Sequence, residues 1–286
     1  MKKSEAFNKF YHEIYGQRWP QLKEALLSPA RHAAWVNPYG DGERPVGDKF
    51  LNFENVFLCK DRATQSSGIP RSYYLLDPAS LFPPTILSLK ENDRVLDLCA
   101  APGGKSLILE SQLGDNGFLV ANDRSNDRRA RLKKVFQEYL PESRLSHVEV
   151  RGHDATRWGL YEKNIYDKIL LDAPCSSERH VLMSPKHLEQ WSVKRTKALA
   201  TEQAAMLLSA LMALKSGGRL VYSTCALSPL ENDGVIAKAL KKKGDEFTLE
   251  QLELPIGEKT QYGVHILPDT TGFGPIYLAS ILKTSS

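Results

Sequence analysis

Arg94-Val95-Leu96-Asp97-Leu98-Cys99-Ala100-Ala101-Pro102-Gly103-Gly104-Lys105 reads as a short branched-apolar strand that runs into a glycine turn and then a helical pattern. Two glycines directly after a strand let the backbone approach a ligand closely, and the following helix offers free amides at its positive end. The spacing is neither G-x-G-x-x-G nor G-x-x-x-x-G-K-[ST], which argues against a dinucleotide or a nucleoside triphosphate. Four further runs have strand length and branched apolar content: GFLVAND, ending at Asp123, HVEVR, DKILLD, ending at Asp172, and GRLVYS, ahead of Thr224. Enough chain separates consecutive runs for a crossover helix, so the fold class is α/β with a mostly parallel sheet. A strong helix is expected over residues 202–214, stopped by Gly217-Gly218, with Lys215 complementing the dipole of its last turn. YGVHILP and GPIYLASIL lie close enough in the chain to predict a C-terminal antiparallel hairpin.

Ahead of the sheet, Phe7, Phe10, Tyr11, Ile14 and Tyr15 recur at helical spacing, and Leu22, Ala25 and Leu26 do so again. Proline and glycine then punctuate the chain, so residues 1–72 are expected to form a small helical N-terminal extension, with the catalytic domain over 73–286. The chain has 286 residues, 42% of them hydrophobic and 25% charged, which is globular composition for one or two domains. No apolar run is long enough for a membrane span, so no membrane partner is expected. The N-terminus lacks the apolar core of a secretory signal, which suggests a cytoplasmic protein, or a mitochondrial one if it is eukaryotic. Cys59, Cys99, Cys175 and Cys225 form no CxxC pair, so neither a metal site nor a disulfide framework is expected.

The strand ends carry the chemistry. Asp123 closes the second strand, where a carboxylate can accept both hydroxyl protons of a ribose, and Asp154 and Asp172 follow the third and fourth. Each is equally well suited to cap a turn. Asp172-Ala173-Pro174-Cys175 and Ser223-Thr224-Cys225 end the fourth and fifth strands, so both thiols should face one crevice and share one substrate. The residues alone leave open which thiol attacks.

In their order and spacing, DLCAAPGGK, AND, Asp154, DAPC and STC resemble the motifs of the Nop/Sun (Fmu-like) RNA cytosine-5 methyltransferases. The resemblance runs from about Tyr73 to the C-terminus. It is closest to the short subgroup typified by the mitochondrial ribosomal-RNA enzyme, through YYLLDPASLFP, DAPCSSERH and GFGPIY. It implies a class I, Rossmann-like methyltransferase that takes its methyl group from S-adenosyl-L-methionine and methylates carbon 5 of a cytidine. It further implies Cys225 as nucleophile at carbon 6, Cys175 as the group assisting product release, and Asp172 as hydrogen-bond partner of the N3 side of the base. The DNA cytosine-5 enzymes instead attack with the cysteine after proline, which would be Cys175. The cofactor contacts carried over are Cys99, Ala100, Ala101, Pro102, Gly103, Gly104, Lys105, Asp123, Arg128, Asp154 and Asp172. Longer members carry a Gln-Asp or Gln-Glu pair followed by serine where this chain has Leu76-Asp77-Pro78-Ala79-Ser80, which implies a difference in substrate handling.

Ribosomal RNA is the first expectation for the substrate and transfer RNA the second, with the cytidine single-stranded or extruded from a duplex. Arg179, His180, Lys186, Lys194, Arg195 and Lys197 are candidate phosphate contacts, with His187 and Trp191 interleaved for stacking unless Trp191 packs a helix. Lys2, Lys3, Lys9, Arg18 and Lys23 add charge at the N-terminus. A net charge of only +4 is too small to hold RNA through charge alone, so a ribosomal subunit or helper protein is an expected partner. Two rivals stand beside this reading: methylation of an exocyclic amine, where DAPC puts sulfur in place of the usual aromatic, and a non-catalytic ribosome-assembly factor.

Overall fold

The computed structural model describes residues 3–42, 44–59 and 68–284; of the N-terminal cations only Lys2 lies outside them. The two expected helices are present as Lys3–Tyr15 and Trp19–Leu27. Their apolar faces bury Phe7, Tyr11, Trp19, Leu22 and Leu26 against Val181, Trp191 and Leu227. Tyr11 stacks on Trp19 at 5.1 Å, and Trp191 meets Phe7 edge-on at 5.0 Å. Trp191 is thus a packing residue, 4% exposed, and not a stacking platform for a base.

The extension is not only helical. It continues into strands β1 (His32–Val36), β2 (Asp48–Lys49), β3 (Val56–Cys59) and β4 (Tyr73–Leu76), which form an antiparallel sheet in the order β2-β3-β1-β4. The division expected after residue 72 falls between β3 and β4 of this one sheet. Short strands broken by prolines and glycines carry too little alternation to be read locally, and here cross-strand pairing supplies what propensity lacks. Ala33, Trp35, Phe50 and Val56 join Leu81, Val95 and Leu107 in a continuous core.

All five expected parallel strands form: β5 (Arg94–Asp97), β6 (Phe118–Asn122), β7 (Val148–Arg151), β8 (Tyr166–Asp172) and β9 (Leu214–Thr224). They continue into β10 (Phe247–Glu250), β11 (Glu258–Lys259), β12 (Val264–Ile266) and β13 (Ile276–Lys283). The sheet runs β11-β12-β13-β9-β8-β5-β6-β7, with β10 also pairing β13. β7, β6, β5, β8 and β9 are parallel, while β13 lies antiparallel to β9 and forms the expected hairpin with β12 through Val264↔Leu278. This is the Rossmann-like class I arrangement, with a core on each face of the sheet.

The long helix is Val193–Ala213, starting nine residues earlier than its apolar pattern suggested because Ser192 caps it, accepting the Arg195 amide at 3.2 Å. Its end is set by Leu214 pairing with Tyr166 as β9 begins, so Gly217-Gly218 lie inside the strand instead of stopping the helix. Among the described residues, no helix is long and apolar enough to cross a membrane.

Candidate active site

Parallel pairing brings the carboxyl ends of β5, β8 and β9 to one edge, with Asp172 in register with Ser223. Ligands of open α/β sheets bind at that edge. A cleft of about 550 Å³ opens there between Cys175, Cys225, Lys105, Asp172, Arg128 and Arg179. A recess of about 210 Å³ adjoins it, lined by Asp97, Cys99 to Pro102, Gly104 and Lys105. Ser80, Cys99, Lys105 and Asp172 line both.

The glycine turn has a backbone reason for its composition. Gly103 has φ +121°, and a Cβ there would sit 3.0 Å from Leu132 and 3.1 Å from Val135. A Cβ on Gly104 would fall 2.5 Å from the ring of Tyr74, which is itself packed edge-on against Tyr139. The turn is therefore closed on its protein side. Lys105 Nζ reaches Asp172 at 2.8 Å, and Ser223 Oγ donates to the same carboxylate at 2.8 Å. Burial works against the Lys105 ammonium, yet Asp172, Asp97 and then Cys225 hold its pKa above the ordinary value.

Asp97 is 1% exposed; Ser106 Oγ donates to its Oδ2 at 2.7 Å, while Oδ1 is buried without a partner. Burial pushes its pKa up to about 7. A carboxyl that stays neutral in the fold but ionises freely when unfolded favours unfolding as the pH rises between those two values. Wild type should therefore lose stability relative to Asp97→Asn as pH rises from about 4 to about 7. Paired thermal melts across that interval check this; a difference in Tm independent of pH would contradict it.

Asp123 accepts the Ser125 amide at 3.0 Å and pairs with Arg128 Nε at 3.2 Å, and Arg128 Nη2 also donates to the Ala101 carbonyl at 2.6 Å. This ties the end of β6 to the glycine turn. Asp154 accepts Thr156 N at 3.0 Å and Thr156 Oγ1 at 2.8 Å, as a turn cap does. Burial opposes its charge, but those two hydrogen bonds prevail and lower its pKa. Neither Asp123 nor Asp154 is among the residues lining the cleft or the recess.

The two thiols meet. Cys175 Sγ and Cys225 Sγ are 2.9 Å apart, Cys175 half-buried and Cys225 exposed. The hydrogen bond with Cys225, then burial, raises the Cys175 pKa well above the ordinary thiol value, with Glu231 and Glu178 adding to the effect. Burial likewise keeps Cys99 a neutral thiol, and Cys59 lies away from the site on β3. Arg179 lines the cleft with its Nε buried and unpartnered, whereas the rings of His180 and His187 face each other with centroids 4.4 Å apart and planes tilted by 36°. Asp77 accepts Ala79 N at 2.8 Å and Gly274 N at 3.1 Å, so the residue following Leu76 fixes one wall of the cleft. Sequence reading gave no role to Asp97, Glu178 and Glu231, because a carboxylate at the end of an apolar strand, at the start of a short helix or in a turn gives no periodic signal.

A family model described as 16S rRNA methyltransferase RsmB/F matches residues 84–282. The 5-cytosine rRNA methyltransferase NSUN4 of Mus musculus is 36% identical, over 96% of this chain and 87% of the relative. The mitochondrial tRNA (cytosine(34)-C(5))-methyltransferase of Danio rerio is 41% identical, over 82% and 71%. Among solved structures, the methyltransferase homolog protein from Pyrococcus horikoshii aligns with a TM-score of 0.76 at 26% identity, covering 96% of this chain and 93% of its own. NSun6 from the same organism, solved with SFG, shares the fold with a TM-score of 0.79 at 19% identity, covering 98% of each chain.

Proposed function

This chain belongs to the Nop/Sun family of S-adenosylmethionine-dependent RNA cytosine-5 methyltransferases, and from that premise we propose that it methylates a cytidine of ribosomal RNA through a covalent bond between Cys225 and carbon 6 of the base. The observation that carries the reading is the pair of sulfur atoms 2.9 Å apart on the cleft that Lys105 and Asp172 also line.

Carbon 5 of cytosine is a weak nucleophile. Addition of a thiolate to carbon 6 forms a C–S bond and pushes electron density onto carbon 5, dividing one difficult step into easier ones. S-adenosylmethionine supplies an electrophilic sulfonium methyl group. Once carbon 5 has taken the methyl group and S-adenosylhomocysteine has left, elimination passes the carbon 5 proton to water, re-forms the C5–C6 double bond and returns the C–S electron pair to Cys225, which takes a proton from Cys175. Cys225 suits the attack: it is the exposed thiol and the one near the Lys105 ammonium. Cys175 lies beside two buried carboxylates that favour its protonated form, and it assists the elimination. Asp172 holds the N3 edge of the base, favouring the protonated ring that accepts the thiolate.

The recess suits the cofactor. Cys99 to Pro102, Gly104 and Lys105 line it, and the unpartnered Oδ1 of Asp97 is left to receive a donor such as the methionyl ammonium. Asp123 and Asp154, just past the ends of β6 and β7, form with Arg128 of the helix Asn126–Tyr139 the neighbouring set for the nucleoside half. Arg179, with a free Nε on the cleft wall, is placed for a phosphate of the target strand. A structured ribosomal subunit or a helper protein supplies the remaining affinity.

RNA containing 5-fluorocytidine, incubated with protein and cofactor, should give an adduct that survives a denaturing gel, since fluorine cannot leave carbon 5 as a proton does. Ribosomal transcripts should trap and transfer RNA transcripts should not. Absence of any adduct would sink the covalent route, and preferential trapping of transfer RNA would move the substrate to the second expectation, in line with the Danio rerio relative.

A further inference from the structure

Glu231 and Asn232 lie in the turn between β9 and the helix Asp233–Lys243; the chemistry above draws on Glu231 only as a charge near Cys175, and not at all on Asn232. Glu231 is fully buried and Asn232 is 3% exposed. Buried polar groups are costly unless hydrogen-bonded, so their partners are informative. Glu231 Oε2 accepts the Ser176 amide at 2.9 Å and Gln203 Nε2 at 2.8 Å. The same Gln203 nitrogen donates to the Pro174 carbonyl at 2.8 Å. The backbone on both sides of Cys175 is thereby tied to one carboxylate. Asn232 repeats the arrangement around the other thiol: Thr224 Oγ1 donates to its Oδ1 at 2.6 Å, and its Nδ2 donates to the Ala226 carbonyl at 2.9 Å. A reverse tie completes the brace, since Glu178, which opens the helix after the Cys175 loop, accepts the Leu227 amide at 2.9 Å.

We propose that the dipeptide Glu231-Asn232 is a paired positioning element of the reaction, its first side chain setting Cys175 for product release and its second setting Cys225 for attack. The inference rests on the division of labour between the thiols given above. Neither residue lines the cleft. Each acts through the two residues flanking one cysteine, Glu231 on the Ser176 amide and by way of Gln203 on the Pro174 carbonyl, Asn232 on the Thr224 hydroxyl and the Ala226 carbonyl, and reactions of this kind are sensitive to displacements of about 1 Å.

The test uses the full chain with the substitutions Glu231→Ala, Glu231→Gln and Asn232→Ala. With unmodified ribosomal RNA and cofactor, Glu231→Ala should transfer methyl in the first turnover almost as wild type does, then stall as a covalent RNA complex, with steady-state kcat down about a hundredfold and KM little changed. Asn232→Ala should instead lose about a hundredfold in the first turnover and accumulate no complex. Glu231→Gln keeps an oxygen for the Ser176 amide and should recover most of the lost kcat. A second readout needs no RNA: diamide takes two electrons and two protons from the thiol pair to form the Cys175–Cys225 disulfide, whose rate reports their juxtaposition. Both alanine variants should oxidise several-fold more slowly than wild type, and Glu231→Gln at close to its rate.

Wild-type oxidation rates in both alanine variants would overturn the proposal, as would one identical kinetic defect in both. Slowed oxidation with the two RNA phenotypes exchanged would uphold the brace and overturn the choice of Cys225 as nucleophile. Asn232→Asp keeps the side-chain volume but removes the donor to Ala226, so it carries the Cys225 arm should the alanine variant not fold.

Discussion

Cys225→Ala should lower methyl transfer by about 10⁴-fold or more and abolish the 5-fluorocytidine adduct, because it removes the group that forms the covalent bond and the other thiols of the cleft, Cys175 and Cys99, are held protonated. Cys175→Ala should behave differently despite standing 2.9 Å away. It should still trap 5-fluorocytidine, and on unmodified RNA it should accumulate the covalent complex that wild type resolves. The asymmetry follows from the surroundings. Cys175 is held protonated by its hydrogen bond with Cys225, then by burial, then by Glu231 and Glu178, while the Lys105 ammonium interacts with Cys225. Denaturing gels of the two variants with both RNAs decide the matter, and an adduct that survives Cys225→Ala but not Cys175→Ala would reverse the assignment. Loss of S-adenosylhomocysteine binding in either variant would instead point to a damaged cofactor site.

Arg144→Leu should destabilise the protein by about 3–5 kcal/mol, the range for removing one partner of a buried ion pair. Arg144 Nε pairs with Glu110 Oε1 at 2.6 Å, and its Nη2 and Nη1 reach the carbonyls of Leu113 at 2.9 Å and Gly114 at 3.3 Å. Glu110 is fully buried at the end of the helix Gly104–Glu110 that follows the glycine turn. Burial already raises its pKa, with Arg144 opposing. Without Arg144 that carboxylate must either protonate or drag water into the core. The double variant Arg144→Leu, Glu110→Leu should recover much of the loss, since it leaves no charge behind. Denaturant melts supply the numbers; a single-variant cost below about 1 kcal/mol would show that the pair is relaxed by solvent.

The parallel strands and the C-terminal hairpin were legible because each is a run of branched apolar residues whose burial is a property of the run itself. The N-terminal sheet was not. His32–Val36 and Asp48–Lys49 become strands only by pairing with Val56–Cys59 and Tyr73–Leu76, and no short window carries that information. Trp191 shows the same limit: basic neighbours and an aromatic ring suit RNA, but the ring packs against Phe7 and Phe10 from the far end of the chain. Glycine, aspartate and cysteine identities marked the site's contents and its edge of the sheet, since the chemistry of each lies in its own atoms. Which atoms meet is a matter of distance between segments far apart in the chain. Residues 94–105, the strand-end aspartates and the two cysteines thus determined by themselves a methyltransferase-type sheet with paired thiols. Only tertiary structure decided that those sulfurs stand within hydrogen-bonding reach, that Asp154 caps a turn while Asp172 pairs with Lys105, and that Glu231 and Asn232 hold the residues flanking each thiol. Such contacts are set by strand register and by burial of polar groups, which force every buried donor and acceptor to seek a partner wherever packing has placed one.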